Sequence, residues 1–226
     1  MNWKECRNNV AAIYVKGRGI EIGALAQPVV MPPGAQVKYV DLLSREELKR
    51  LYPDLKTQDF VVVDIIDDGE KLSTIEDGTQ DFVIANHFLE HCQNPIMAMQ
   101  NMIRVLKADG ILYLAVPDKN YTFDRDRPAT TWEHCLKDYE AGPEWSRDAH
   151  YKEAVRLIEK ITEEAEVIAR KKTLMDSGYS IHFHVWSQIE MMEFIIELKR
   201  NFGFNYRVEL LLANEFEVII VLRKTS

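Results

Sequence analysis

The chain has 226 residues, 46% of them hydrophobic, which is enough to bury the core of one large domain. Its net charge of −8 argues against a broad attraction to nucleic acid or to an anionic membrane, so we expect a small-molecule or protein partner. The N-terminus is polar and no apolar run is long enough to span a membrane, so we expect a cytoplasmic protein. The three cysteines are widely spaced, which predicts a protein without disulfides. The sequence does not determine the oligomeric state.

The first half of the chain alternates between predicted helices and strands. Residues 2–15 have a helical pattern, with an expected inner face of Trp3, Val10, Ile13 and Tyr14. Short apolar, β-branched runs typical of buried strands lie at 19–23, 37–42, 60–66, 81–87 and 111–117. Helices are predicted at 44–53 and at 94–110, the second ending at Gly110. This alternation indicates a parallel sheet covered by helices on both faces.

Regular periodicity stops after Pro117. Residues 118–186 are rich in aromatic and charged side chains and include a charged helical stretch, so we predict an inserted lid over a substrate. A helix capped by Ser187 and ended by Gly203 follows. Two apolar runs joined at 213–214 then predict a C-terminal antiparallel hairpin. The whole chain, 1–226, is predicted to form a single domain with this one insertion.

The first predicted strand ends in a glycine turn. A glycine at this position lets a ligand approach the backbone because no Cβ stands in the way, which is the functional interpretation of Gly23. Glu21 points to the same side as Gly23 because strand side chains alternate. The second strand ends in Asp41, where a carboxylate can accept hydrogen bonds from both hydroxyls of a ribose. Two families use this layout, the dinucleotide-binding dehydrogenases and the class I S-adenosylmethionine-dependent methyltransferases.

The middle of the chain separates these two families. Residues 75–119 contain a D-G-x-x-D-F turn, the triplet Leu89-Glu90-His91, a helix ending in R-V-L-K-x-D-G and a strand ending in Val-Pro. With these motifs the chain resembles the class I methyltransferases that carry a Leu-Glu-His triplet after the fourth strand, over residues 17–119 and 187–223. The resemblance implies an α/β fold with a Rossmann-like, mostly parallel seven-stranded sheet, an antiparallel C-terminal hairpin, helices on both faces and a helical lid.

The resemblance also implies S-adenosylmethionine as the cofactor. The residues expected to contact it are Glu21, Gly23, Ala24, Asp41, Asp67, Asp68, Asn86 and His87. By this resemblance Glu21 and Gly23 belong to the loop that holds the methionine end, and Asp41 binds the ribose. Asp68 contacts the adenine amino group, with Asp67 as the competing assignment, and the last two residues lie near the sulfonium.

The glycine loop departs from the family pattern acid-x-Gly-x-Gly-x-Gly, because Leu25 and Gln27 occupy the second and third glycine positions. Only about thirteen residues separate Gly23 from the second strand, so a short turn is expected there instead of a regular helix. A nicotinamide-dependent dehydrogenase depends on the missing glycines more than a methyltransferase does. A degenerate methyltransferase fold that serves as a partner subunit or ligand sensor explains the altered loop equally well.

Two histidines are candidates for a catalytic base. His182 and His184 are two positions apart, so in an extended segment both point to one face, just before the helix that leads to the last strands. A neutral imidazole can take the proton from a hydroxyl as a methyl group is transferred. The same histidines could instead bind a metal with Asp118 or His150, or bond to backbone carbonyls, and we assign no metal site from the sequence. The predicted reaction is methyl transfer to a small polar acceptor, with a hydroxyl of a sugar derivative or secondary metabolite preferred.

Overall fold

The structure is a computed structural model that describes residues 2–55 and 57–225. Seven strands form one sheet in the order β3-β2-β1-β4-β5-β7-β6. They are β1 (Arg18–Ile22), β2 (Gln36–Asp41), β3 (Ile65–Ile66), β4 (Gln80–Asn86), β5 (Leu106–Pro117), β6 (Tyr206–Asn214) and β7 (Glu217–Lys224). Strands β1 to β5 pair in parallel, whereas β7 is antiparallel to both β5 and β6. The predicted seven-stranded fold class, mostly parallel with an antiparallel C-terminal hairpin, is confirmed.

Seven α-helices are described around the sheet. They are α1 (Trp3–Tyr14), α2 (Arg45–Leu51), α3 (Pro95–Val105), α4 (Trp132–Ala141), α5 (Glu144–Leu157), α6 (Glu164–Ser177) and α7 (Gln188–Phe202). The predicted caps of α7 are confirmed, because the Ser187 side chain accepts a hydrogen bond at the N-terminus and Gly203 has a positive φ of 62° at the other end. None of the described helices is long and apolar enough to cross a membrane.

Both faces of the sheet are covered by helices. Successive side chains of a strand point to opposite faces, and neighbouring residues of β4 accordingly enter different hydrophobic clusters. Ile84 packs in a cluster with Val10 of α1, whereas Val83 packs in a cluster with Met99 of α3 and Phe194 of α7. In open α/β sheets, ligands bind at the carboxyl-terminal edge of the parallel strands. A ligand site is therefore expected at that edge.

The inner face of α1 differs from the predicted one. Ile13, expected inside, is 64% exposed, while the charged residue Arg7 is only 6% exposed. Arg7 turns inward because its guanidinium forms a buried ion pair with Glu217 at the start of β7. A buried ion pair between the two ends of the chain cannot be read from the hydrophobic pattern of one helix.

Three predicted boundaries are also wrong. Helix α3 ends at Val105 and not at Gly110, because Gly78 and Thr79 donate backbone hydrogen bonds to its last two carbonyls and the chain enters β5. Only 65–66 of the predicted strand 60–66 pairs with β2, at the edge of the sheet. The hairpin turn lies at 215–216 and not at 213–214, since Asn214 is still in register with Glu217.

Residues 118–186 form a helical insertion between β5 and α7. Helices α4, α5 and α6 lie in it, and its side chains form a separate hydrophobic cluster around Tyr151, Val155 and Phe183. At the base of the insertion an isolated parallel bridge joins Asp118 to Trp186. This bridge holds the two ends of the insertion together beside β5.

Candidate functional site

A cavity of about 370 Å³ lies at the carboxyl ends of β1 and β4. These two strands are adjacent in the sheet although they are distant in sequence, so the cavity lies where the strand order reverses, the usual ligand position in such folds. Its lining includes five of the residues predicted to contact a cofactor: Glu21, Gly23, Ala24, Asn86 and His87. A depression of similar size around Gly17 and Gly110 lies away from all of these residues. The first cavity is therefore the candidate site.

The glycine turn opens the backbone toward this cavity. Gly23 has a φ of +65°, and a Cβ added to it would meet only a ring carbon of Phe88, at 3.7 Å. The Gly23 N–H donates to the carbonyl of Val40 in β2 at 3.0 Å. Leu25 also adopts a positive φ, and no helix forms before β2. The expected short turn is present, and Leu25 and Gln27 are accommodated as part of the cavity lining.

Glu21 is buried below the turn, with only 1% of its surface exposed. Its carboxylate accepts hydrogen bonds from the Val29 N–H at 3.1 and 3.3 Å, which ties the returning loop to β1. Burial raises the pKa of Glu21 to about 8. The carboxyl group is therefore largely protonated near neutral pH.

Glu21 should make the stability of the protein depend on pH. Because its pKa in the folded state lies above the ordinary value of 4.5, its contribution to the free energy of unfolding is complete below that value. The contribution decreases as the pH rises toward 8, by up to roughly 3 to 5 kcal/mol. We expect Glu21→Gln to flatten this decrease in urea unfolding at pH 5, 7 and 9. Glu46→Gln, at an exposed position, should keep the wild-type slope, and an unchanged slope in E21Q contradicts the assignment.

The cavity lining does not include Asp41, the last residue of β2, or Asp67 and Asp68, which follow β3. The backbone N–H of Asp67 donates to the carbonyl of Asp41 at 3.0 Å, so the strand ends lie side by side. Burial raises the pKa of Asp41 to about 6. The Asp67 carboxylate accepts hydrogen bonds from the backbone and hydroxyl of Thr74, at 2.8 and 2.7 Å, whereas the more exposed Asp68 pairs with Lys71 at 2.8 Å. Their predicted contacts with ribose and adenine stay predictions.

Asn86 lies in the cavity wall, and its side-chain amide lacks hydrogen-bond partners among the described residues. Both polar atoms of that amide, Oδ1 and Nδ2, are buried. Buried polar atoms without partners are rare in native proteins, since each costs about 1 to 3 kcal/mol. A ligand with both a donor and an acceptor can satisfy this amide.

His87 connects the cavity to a buried charge cluster that the sequence did not predict. Its Nε2 lies 2.8 Å from Oε2 of Glu217, and the Nε of Arg7 donates to the same carboxylate at 2.8 Å. Burial of Glu217 opposes ionisation, but the hydrogen bonds from His87 and Arg7 outweigh it and lower the pKa. Phe216 packs its ring against both His87 and Trp3. Helix α1 and the C-terminal hairpin are thereby fixed against one side of the cavity.

His182 is part of a second hydrogen-bonded group, next to the cavity wall. Its Nδ1 lies 2.7 Å from Oδ2 of Asp124, and Arg127 donates to the other oxygen of Asp124 at 2.9 Å. Burial opposes ionisation of Asp124, yet the hydrogen bonds from His182 and Arg127 lower its pKa overall. The ring of His182 contacts His91 at a centroid distance of 4.7 Å, and His91 lines the cavity. The contact between Asp124 and His182 was not predicted from the sequence.

His184 lies in a different environment. It is fully buried, stacks on Trp186 at 5.5 Å and contacts the rings of His134 and His150. It is absent from the described lining of the cavity. The predicted histidine pair is therefore divided between two clusters, and only His182 lies beside the cavity wall.

The chain is similar to several solved structures. Among solved structures, the chain is similar to one described as a putative Zn-dependent alcohol dehydrogenase from Rhodobacter sphaeroides (TM-score 0.56, 14% identity, covering 98% of this chain and 90% of that one). It is also similar to a putative S-adenosyl-L-methionine-dependent methyltransferase from Methanococcus maripaludis (TM-score 0.52, 15% identity, 99% and 85% covered). A third is a SAM-dependent methyltransferase from Methanosarcina mazei (TM-score 0.52, 14% identity, 96% and 97% covered). At these identities the likeness establishes the fold alone.

No curated protein matches the sequence. The family model described as "Methyltransferase domain", however, matches residues 13–179, which is well over half of the chain and includes the glycine turn, the Leu-Glu-His triplet and β5. The chain therefore belongs to the methyltransferase-domain family.

Proposed function

We propose that this methyltransferase transfers a methyl group from S-adenosylmethionine to a hydroxyl of a small polar acceptor, such as a sugar derivative or a secondary metabolite. The observation that carries the proposal is the cavity at the β1/β4 switch point, which gathers five of the eight residues expected to contact the cofactor. Two of the similar structures are described as S-adenosylmethionine-dependent methyltransferases. A dehydrogenase is disfavoured, because its sheet continues after the fifth strand with a sixth in the order 3-2-1-4-5-6, whereas antiparallel β7 lies next to β5 here.

The residues around the cavity suit this cofactor. The unpartnered amide of Asn86 offers a donor and an acceptor, and Gly23 leaves the backbone accessible beside it. Asp41 ends β2, one residue after the Val40 carbonyl that accepts from the glycine turn, and in this proposal its carboxylate binds the ribose hydroxyls. When bound, S-adenosylmethionine supplies an electrophilic methyl group. The chain has only to hold the acceptor oxygen in line, exclude water and remove a proton.

His182 is the proposed proton acceptor. With its Nδ1–H donated to Asp124, the lone pair of the neutral ring is on Nε2. That nitrogen takes the proton of the acceptor hydroxyl as the oxygen bonds to the methyl carbon. The carboxylate of Asp124, held in place by Arg127, stabilises the imidazolium that forms.

The insertion 118–186 serves as the lid and acceptor-binding segment in this proposal. It carries both Asp124 and His182, and its separate hydrophobic cluster allows it to hold them as a rigid unit. The net charge of −8 supports a small-molecule acceptor over a nucleic acid. Three free cysteines fit a cytoplasmic enzyme.

Binding of S-adenosylhomocysteine, the expected product, tests the cofactor assignment. Calorimetric titration of the purified protein should give clear binding, and Asp41→Ala should weaken it about 5- to 150-fold through its lost ribose hydrogen bonds. Asp59→Ala, at a fully exposed acid near the same edge of the sheet, should leave the affinity unchanged. A parallel titration with NAD should show no binding.

Each other outcome contradicts part of the proposal. Binding of NAD alone favours the dehydrogenase. Binding of neither ligand favours a degenerate fold that acts as a partner subunit or sensor. Equal affinity of the wild type and D41A for S-adenosylhomocysteine removes Asp41 from the cofactor site while leaving the rest of it intact.

A further inference from the structure

Four potential metal ligands converge inside the helical insertion, apart from the cofactor cavity. His134 and Asp138 are one turn apart on α4, so they project from the same side of that helix. His150 comes from α5 and His184 from the extended segment before α7. One ligand atom from each of the four lies within 4.8 Å of every other. Three elements of the insertion thus meet at this cluster.

The spacing of these atoms fits a single tetrahedral ion. The Nε2 atoms of His134 and His150 are 3.0 Å apart. Oδ2 of Asp138 lies 3.3 Å from Nε2 of His134 and 3.5 Å from Nε2 of His184. Ligand atoms about 2.0 to 2.1 Å from a tetrahedral zinc ion lie roughly 3.3 Å from one another. The observed separations lie on both sides of that value.

The Nε2 atoms of His134 and His150 are within hydrogen-bonding distance of each other, but hydrogen bonding within the described part of the chain leaves one carboxylate oxygen of the cluster without a partner. Asp138 is fully buried, and its Oδ2 has no hydrogen-bond partner among the described residues although it faces the histidines. A divalent ion bound by this oxygen and by the imidazole nitrogens around it supplies the missing partner.

The surroundings hold the ligands in place. The Ser146 hydroxyl donates to Oδ1 of Asp138 at 2.9 Å, and the side chain of Asn94 donates to the Asp138 carbonyl at 3.2 Å. The ring of Trp186 stacks on that of His184. Hydrogen bonds to a ligating carboxylate are typical of metal sites, because they fix its orientation.

We propose that His134, Asp138, His150 and His184 bind one structural Zn²⁺ ion. Three imidazoles and one carboxylate, without a thiolate, suit zinc among the common divalent ions. With four protein ligands and two of them fully buried, no position is open for a substrate, so the ion stabilises the fold and does not take part in methyl transfer. It ties α4 and α5 to the segment that carries His182, whose backbone docks through Phe183 and His184 onto the Glu90 carbonyl.

Metal content of the full-length protein tests the proposal without any methylation assay. Elemental analysis after gel filtration should give about one zinc per chain, and His150→Ala and Asp138→Asn should each lower this to below about a fifth. His182→Ala is the matched control, because His182 belongs to a neighbouring group with Glu90 and His91 that could also hold a metal. It should retain the full content. Loss of zinc in H182A together with retention in H150A places the ion in the other group and overturns the proposal.

Two measurements on the wild type keep the test independent of how the variants fold. Removal of zinc with a chelator should lower the melting temperature by several degrees, and Zn²⁺ alone should restore it. X-ray absorption at the zinc edge should show four nitrogen or oxygen ligands at about 2.0 to 2.1 Å and no sulfur. A wild type that contains no zinc and gains no stability from added Zn²⁺ overturns the proposal, as does a sulfur ligand.

Discussion

His182→Ala is expected to lower kcat by about 10²- to 10⁴-fold, the usual contribution of a general base. The affinity for S-adenosylhomocysteine should stay at the wild-type value, because His182 lies outside the described lining of the cofactor cavity. The measurement is the initial rate of methylation with the best acceptor found in a screen of small hydroxylated metabolites. Calorimetric titration of the same preparation with S-adenosylhomocysteine supplies the second quantity.

A loss of kcat without a loss of cofactor affinity separates a base from a purely structural residue. Asp124→Asn should act in the same direction, because it removes the carboxylate that orients Nδ1 and stabilises the imidazolium. Tyr179→Phe, a conservative change at an exposed side chain in the same segment, should have no effect. A parallel decrease in cofactor affinity in H182A would falsify the division between base and cofactor site.

The features predicted correctly from the sequence depend on local interactions. The glycine at the end of β1 needs a positive φ, and the Ser187 cap and Gly203 stop of α7 act within one turn of the chain. Strand and helix periodicities are local as well, so the sheet and the helices on both faces could be predicted from sequence. The residues at the ends of β1 and β4 that were expected to contact a cofactor line one cavity, because parallel strands deliver their ends to one edge.

The contacts that the sequence did not predict join residues that are far apart in the chain. Asp124 and His182 are separated by 58 positions, and Arg7 and Glu217 by 210. Neither contact leaves a periodic signal, although Glu217, an acid at the start of an apolar strand, is itself unusual. The sequence predicts the same orientation for His182 and His184, because residues two positions apart in an extended segment point to the same face. Packing against α4 and α5 places His184 in another cluster.

Arg7→Met is expected to lower the free energy of unfolding by about 3 to 5 kcal/mol, the cost of leaving one member of a buried ion pair without its partner. Glu217 is 1% exposed, and Arg7 donates to both of its carboxylate oxygens. Met keeps most of the length of the Arg side chain, so the change tests the charge more than the packing against Trp3. Urea denaturation at neutral pH measures the difference.

Two further variants show whether the uncompensated charge is the cause. Arg207→Ala breaks a pair with Glu209 in which the arginine side chain is 65% exposed, and it should cost less than about 1 kcal/mol. Adding Glu217→Gln to Arg7→Met should recover part of the lost stability, because the amide carries no charge. Its oxygen can still accept the hydrogen bond from Asn214, and its NH2 group then faces the ring nitrogen of His87, which can act as the acceptor. If Glu217→Gln destabilises R7M by as much as it destabilises the wild type, the two side chains are not energetically coupled. The inward turn of Arg7 then has to be explained by its packing under Trp3.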